Sequence, residues 1–243
     1  MRRGFRCRRE VFKRLKTEYD RIVELEYDGN SIVALQNFDK IAEEELRGLL
    51  KYFYESRRSR DQAWKTCKGS LYEYATFRAL TQIVSGNKTL NEKLEVLMGD
   101  EAILQHKDQV VIRNWSEIFP DVDILIAEKE TGNVIAILSC KTSLRERLTE
   151  TAFWKRELEK NPRTKEVKLL FVTTDKDNEL KTDTNRYILL HVIDCTFVTD
   201  PKKYKELMLI YEQRYGDRED FNKLIPKIRE ISKIEDYLLE IVS

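Results

Sequence analysis

The chain is poor in the residues that punctuate or staple a fold. Its 243 residues hold only eight Gly, four Pro, four Cys and two His. Cys7, Cys67, Cys140 and Cys195 are widely separated and form no CxxC pair, which argues against both a disulfide framework and a structural zinc site. His106 and His191 leave little material for histidine-centred chemistry. No apolar run approaches the roughly 18 residues a membrane span requires, and the basic N-terminus lacks the apolar centre of a signal peptide. The expectation is a soluble, intracellular protein. Charge of one sign is also missing: 44 Lys and Arg face 43 Asp and Glu, a formal charge of +1 that on average argues against a nucleic-acid partner.

What the chain does have is charge of both signs and an adequate core. Charged residues make up 36%, above the usual quarter, with 41% apolar and 10% aromatic, which excludes a disordered polyelectrolyte. The neutrality is an average. The first 16 residues carry eight basic side chains (Arg2, Arg3, Arg6, Arg8, Arg9, Lys13, Arg14, Lys16) against the single acid Glu10. Apolar residues recur at three- and four-residue steps over 9–27 and 31–58, which predicts amphipathic helices. A third helix is expected over 70–84, with shorter helical segments between 90 and 118. Beyond Pro120 the pattern changes. Two apolar runs, 123–127 and 134–140, flank a turn at Thr131-Gly132-Asn133 and predict a hairpin. A helix follows over 144–160, then strands over 167–173 and 187–193, and helix again from 202. The expected architecture is one α/β domain: a helical N-terminal part over about 1–66, a catalytic core over about 67–200 and C-terminal helices over about 201–243.

The informative stretch is FPDVDILIAEKETGNVIAILSCKTSLRERLTETAFWK, residues 119–155. Asp123 opens one hairpin strand and Lys141 closes the other, so folding brings them together at one end of the sheet. That pair suits phosphodiester hydrolysis: a carboxylate holds a divalent cation that polarises phosphate and activates water, and an ammonium orients the water and offsets developing charge. The backbone carbonyl of Cys140 is a further candidate ligand.

This arrangement resembles the PD-(D/E)xK nuclease superfamily, with Pro120-Asp121 as the literal PD and Ser139-Cys140-Lys141 where (D/E)xK would stand. Asp121 and Asp123 both fit as the metal-binding acid, since residues two apart on a strand face the same way. Asp123 is preferred because it directly precedes the apolar strand. Ser139 departs from the usual acid. Some type II restriction endonucleases share that SxK variant and recruit a glutamate from the next helix, a role for which Glu150 is the nearest candidate. Members that recognise CCGG-containing sites follow SxK with an Arg and acid cluster, similar to Arg145-Glu146-Arg147 here. Arg can donate twice to guanine, and Glu can accept from cytosine in the major groove. Many members also place a glutamate on an N-terminal helix beside the metal, a position Glu73 resembles.

Plainer roles compete at several positions. Ser143 and Glu146 match a capping box for the helix that follows, and Glu150 can pair with Arg147 on that helix. Ser139 fits a small residue at a crowded site, and Trp64, Trp115 and Trp154 fit the core. The resemblance implies a restriction-endonuclease-like mixed sheet flanked by helices. It implies a homodimeric, or higher-order, type II restriction endonuclease that uses Mg²⁺ to cut double-stranded DNA at a short palindromic site with a CCGG-like core, leaving 5′-phosphates. The other readings are a structure-specific junction or repair nuclease, and a non-catalytic DNA-binding relic of the fold.

Overall fold

The structure is a computed structural model. It describes residues 7–99, 104–113, 115, 117–118, 120, 122–144 and 147–242, with the side chain of Arg147 outside that description. The chain divides into two compact units, Met1–Ala79 and Leu80–Ser243. No helix among the described residues is long and apolar enough to cross a membrane.

The first unit is helical. Helix α1 (Arg9–Glu26) buries the stripe Val11, Leu15, Tyr19, Ile22 and Val23, the three- and four-residue spacing that predicts it. The continuous helix expected over 31–58 is instead segmented. Helix α2 (Ser31–Gln36) is capped by the Asn30 side chain and stops at Asn37, and a π-helix (Ile41–Leu46) and a 3₁₀-helix (Arg47–Tyr52) complete the run. Helix α3 (Arg57–Gly86) is longer at both ends than expected and continues into the second unit. The ammonium of Lys68, nearly buried, sits 2.7 Å from Asp39 and 2.9 Å from Glu43. Burial by itself would raise the Glu43 pKa, but bonds from Lys68, Trp64 and Arg47 outweigh it and hold the carboxyl down at about 2. The reading that no cysteines pair is corrected here: Cys7 and Cys67 form a disulfide across a sequence separation of 60. Helix packing made that proximity, which spacing along the chain does not display.

The second unit is built on a six-stranded mixed sheet in the order β1-β4-β5-β6-β7-β8. Short helix α4 (Lys88–Lys93) leads into edge strand β1 (Leu94–Met98), which runs antiparallel to β4 (Ile124–Glu128). Between them lie helix α5 (Lys107–Val110) and a separate two-stranded ribbon, β2 (Ile112–Arg113) with β3 (Glu117–Ile118). The expectation of helix throughout 90–118 is therefore only partly met. The predicted hairpin forms: β4 pairs antiparallel with β5 (Val134–Lys141), and Gly132 supplies the positive φ of 68° that the turn requires. Helix α6 (Arg147–Glu159) crosses over to β6 (Lys168–Thr173), parallel to β5, as the pattern anticipates.

The strand expected over 187–193 is a helix, α7 (Asp183–His191); the next strand is β7 (Cys195–Val198), parallel to β6. A run as short and apolar as Tyr187–Ile193 fits a buried helix as well as a strand, and periodicity cannot separate them. Helix α8 (Pro201–Tyr215), helix α9 (Phe221–Leu224), parallel strand β8 (Ile228–Glu230) and helix α10 (Ile234–Val242) complete the unit. One face of the sheet, through Leu125, Ile137, Leu169, Phe171 and Val198, shares a core with Leu148 of α6, Leu189 of α7 and Tyr211 of α8. On the other face Phe197 stacks edge-on against Tyr237 of α10.

Past the end of β6, loop 174–180 folds back on itself. Asp175 and Asn178 adopt left-handed φ values of 47° and 54°, which these two residue types tolerate better than most. The Asp175 carboxylate, 5% exposed, accepts from the Glu179 and Leu180 backbone N–H groups through Oδ1. Burial raises its pKa to about 6; those two hydrogen bonds and the charge of Lys203 pull it back, and the charge of Glu179 pushes it up. Tyr211, whose hydroxyl lies nearby, carries no charge at neutral pH.

Two outcomes are expected of this fold. A carboxyl raised in the folded state stabilises below the unfolded value of roughly 4 and loses that contribution as pH rises through about 6. Asp175→Asn keeps the Oδ1 acceptor and removes the charge, so its Tm at pH 8 should exceed that of the parent by about 3 °C, with the gap closing toward pH 4. A lower Tm at pH 8 contradicts this. Phe171→Ala, deep in the sheet core, should lose about 3–5 kcal/mol in urea unfolding.

Candidate active site

The β4–β5 register builds the site. Ile124 pairs with Leu138, and the Asp123 N–H donates to the Leu138 carbonyl at 3.0 Å, so the ladder continued by one residue sets Asp123 opposite Ser139. Side chains alternate along a strand, which puts Ser139 and Lys141 on the same face as Asp123. Asp123 Oδ2 accepts from Lys141 Nζ at 2.9 Å and from the Cys140 backbone N–H at 2.6 Å. Both side chains are largely buried, at 7% exposure for Asp123 and 14% for Lys141. Two opposite charges removed from water in this way are tolerable because each neutralises the other and a backbone dipole adds to the acceptor side.

Ser139, where an acid stands in the related motif, is 1% exposed, and its hydroxyl has no hydrogen-bond partner among the described residues. It combines the small size expected at a crowded position with an oxygen whose lone pairs protein groups leave unused. Among the described residues no three His, Cys, Asp or Glu side chains cluster as a metal cage. An Mg²⁺ ion does not require one, since it keeps several waters and takes one or two carboxylates plus substrate phosphate. A buried carboxylate, an adjacent backbone carbonyl and an unsatisfied hydroxyl are hard oxygen donors, and they fit such a cation.

The structure brings together Asp123, Cys140 and Lys141. Glu150 is exposed in the first turn of α6. Glu73 is half-buried in the interior of α3, within the first unit, so Lys68-Gly69-Ser70 lies inside that helix and does not start it. Asp121, Arg145 and Glu146 lie outside the described residues; Arg147 opens α6. Ser143 does not cap a helix, because Leu144 directly after it is not helical and its N–H donates to Glu179 Oε2 at 3.1 Å. Of the tryptophans, Trp64 is buried as expected, but Trp115 is 103% exposed between the short strands of the β2–β3 ribbon, which is too small to enclose an indole. Sequence reasoning missed Asp175 and Glu179. The only signal for them was a polar stretch directly after an apolar strand, which marks a loop and does not say what the loop grips.

Known proteins of one enzyme class resemble this chain. A family model described as BsaWI restriction endonuclease type 2 matches residues 102–224, just over half of the chain and including every strand from β2 to β7. A putative type II restriction enzyme, MjaVIP of Methanocaldococcus jannaschii, is 27% identical over 237 residues, covering 88% of this chain and 96% of its own length. A probable type II restriction enzyme of Helicobacter pylori, HpyAORF263P, is 40% identical over 63 residues, 26% of this chain and 33% of that protein. Among solved structures, the complex of restriction endonuclease PspGI with substrate DNA superposes with a TM-score of 0.61 at 17% identity, covering 95% of this chain and 92% of that one, a likeness of fold. With its mixed sheet, its Asp123–Lys141 pair and this family match, the chain belongs to the BsaWI family of type II restriction endonucleases, enzymes that cleave DNA at specific sites.

Proposed function

We propose that the protein is an Mg²⁺-dependent endonuclease that cuts both strands of a short palindromic site containing G·C pairs, acting as a homodimer. The observation that carries the reading is the contact of Lys141 Nζ with Asp123 Oδ2 at 2.9 Å, at the strand ends of the hairpin. The cation would be held by the Asp123 carboxylate and the Cys140 carbonyl, with Glu150 completing the set and Asp121 as the alternative acid. Bound there, it supplies Lewis-acid polarisation of the phosphate and a more acidic water.

The chain's own groups do the rest. Lys141 holds the attacking water by hydrogen bonding and offsets the negative charge that develops on the phosphorane oxygens. Asp123 fixes the ammonium in place, and the Cys140 N–H keeps that carboxylate from rotating. Hydrolysis that breaks the bond to the 3′-oxygen leaves a 5′-phosphate and a 3′-hydroxyl. Arg145, Glu146 and Arg147 would read base edges in the major groove: arginines bidentate to guanine O6 and N7, the glutamate accepting from cytosine N4. One active centre per chain and two strands to cut make a two-fold dimer on a palindrome the simplest assembly.

With Mg²⁺, the purified protein should convert long unmethylated DNA into discrete fragments whose ends ligate as 5′-phosphates. Lys141→Ala should cut at least about 100-fold more slowly while still binding DNA in a gel shift. Cutting by that variant at the parental rate sinks the mechanism, and a monomeric complex on cognate DNA in sedimentation sinks the dimer.

A further inference from the structure

Three residues, 142–144, separate Lys141 from Arg145, and loop 174–180 grips them from both sides. The Thr142 carbonyl accepts from Thr174 Oγ1 and from the Lys176 N–H, both at 3.1 Å. The Leu144 N–H donates to Glu179 Oε2 at 3.1 Å, and the Leu144 side chain is fully buried in the sheet core. The loop is itself anchored at several points. Asp175 Oδ1 ties its own start to Glu179 and Leu180, Lys203 of α8 donates to the Asp175 carbonyl, Asn185 of α7 donates to the Glu179 carbonyl at 2.9 Å, and Tyr211 of α8 donates to the Leu180 carbonyl at 2.6 Å. Helices of the core are thus connected, through one loop, to the backbone that leaves the reactive lysine.

We infer that loop 174–180 is a specificity-determining clamp in which Glu179 and Thr174 act as positioning residues, fixing the backbone of 142–144 through which the chain passes from Lys141 to Arg145. This rests on the proposal that 145–147 read the bases. The physical need is geometric. Bidentate readout demands placement within about 0.5 Å and 10–20°, and a three-residue tether with free torsions spans roughly 10 Å and cannot supply it. Hydrogen bonds to the Thr142 carbonyl and the Leu144 amide remove that freedom at both ends of Ser143. The same restraint couples readout to chemistry, because the strand that ends in Lys141 and the segment that carries the readers share the clamped backbone.

The test uses the full-length protein and a pool of linear duplexes with a randomised window, from which the preferred site and its single-base variants are taken by sequencing the cut ends. Glu179→Ala should lower the ratio of kcat/KM between the preferred site and a single-base variant about tenfold, mainly through KM for the preferred site. Glu179→Gln, whose amide oxygen still accepts from Leu144, should restore the ratio to within about threefold of the parent. Thr174→Val, isosteric and already relieved by the Lys176 N–H, should lose a smaller part and serves where Glu179→Ala does not fold. Parental discrimination in both Glu179→Ala and Thr174→Val overturns the clamp, as does a Glu179→Gln variant no better than Glu179→Ala. Arg145→Ala and Arg147→Ala separate the two levels: if both discriminate as the parent does, the base-reading proposal has failed, whereas lost discrimination there with parental behaviour in the clamp variants refutes the clamp alone.

Discussion

Burying a carboxylate at the end of a β-strand is costly unless an opposite charge and a hydrogen-bond donor arrive with it. Asp123 has both from one partner strand: the ammonium of Lys141 and the amide of Cys140 converge on the same oxygen, Oδ2. This constraint explains the rest of the second unit. The two residues meet only if β4 and β5 hold their register, and a slip of one residue would turn Asp123 or Lys141 to the opposite face. Register is held by the Gly132 turn at one end of the hairpin and by the buried alternation of Leu125 and Ile137 against α6 to α8 along its length. The sheet positions two charges whose burial is tolerable only together.

The parallel part of the sheet has a second consequence. Because β6 runs parallel to β5, with Lys141 beside Thr173, both strands end at the same edge and their following segments are neighbours. Loop 174–180 can therefore hold 142–144 directly, and the end of the hairpin that carries Asp123 and Lys141 is supported from the strand next to it as well as from within. A parallel crossover through α6 brings this about: a chain that returned antiparallel would have placed its loop at the opposite end. The near-zero net charge is an average: the first 16 residues carry eight basic side chains against one acid, while Asp123 pairs with Lys141 and Asp39 and Glu43 pair with Lys68.

Much of this was legible from the chain. The hairpin, α1, the crossover helix and the Asp123–Lys141 pairing follow from apolar periodicity and from the placement of an acid and a lysine at matching strand ends. Misreadings arose where local pattern was degenerate. Tyr187 to Val192 lies mostly in helix, although its run of apolar residues suits a strand equally, and Leu94 to Met98 is a strand in a region where short helical segments are expected. Ser143 was a plausible helix cap because Ser-x-x-Glu carries that signal, but Leu144 directly after it is not helical and Glu179, 35 residues on, takes the Leu144 amide instead.

The sequence by itself determined that an acid and a lysine stand at matching strand ends and which faces are apolar, because those properties reside in side chains and in spacing over a few residues. The tertiary structure alone decided what lies beside what across long separations: Cys7 against Cys67, Glu43 against Lys68, Ser139 opposite Asp123 with no hydroxyl partner among the described residues, and Asp175 and Glu179 placed to grip the chain after Lys141. Such contacts depend on how elements pack and on the direction in which strands return. Those are properties of the whole core, and no window of the chain contains them.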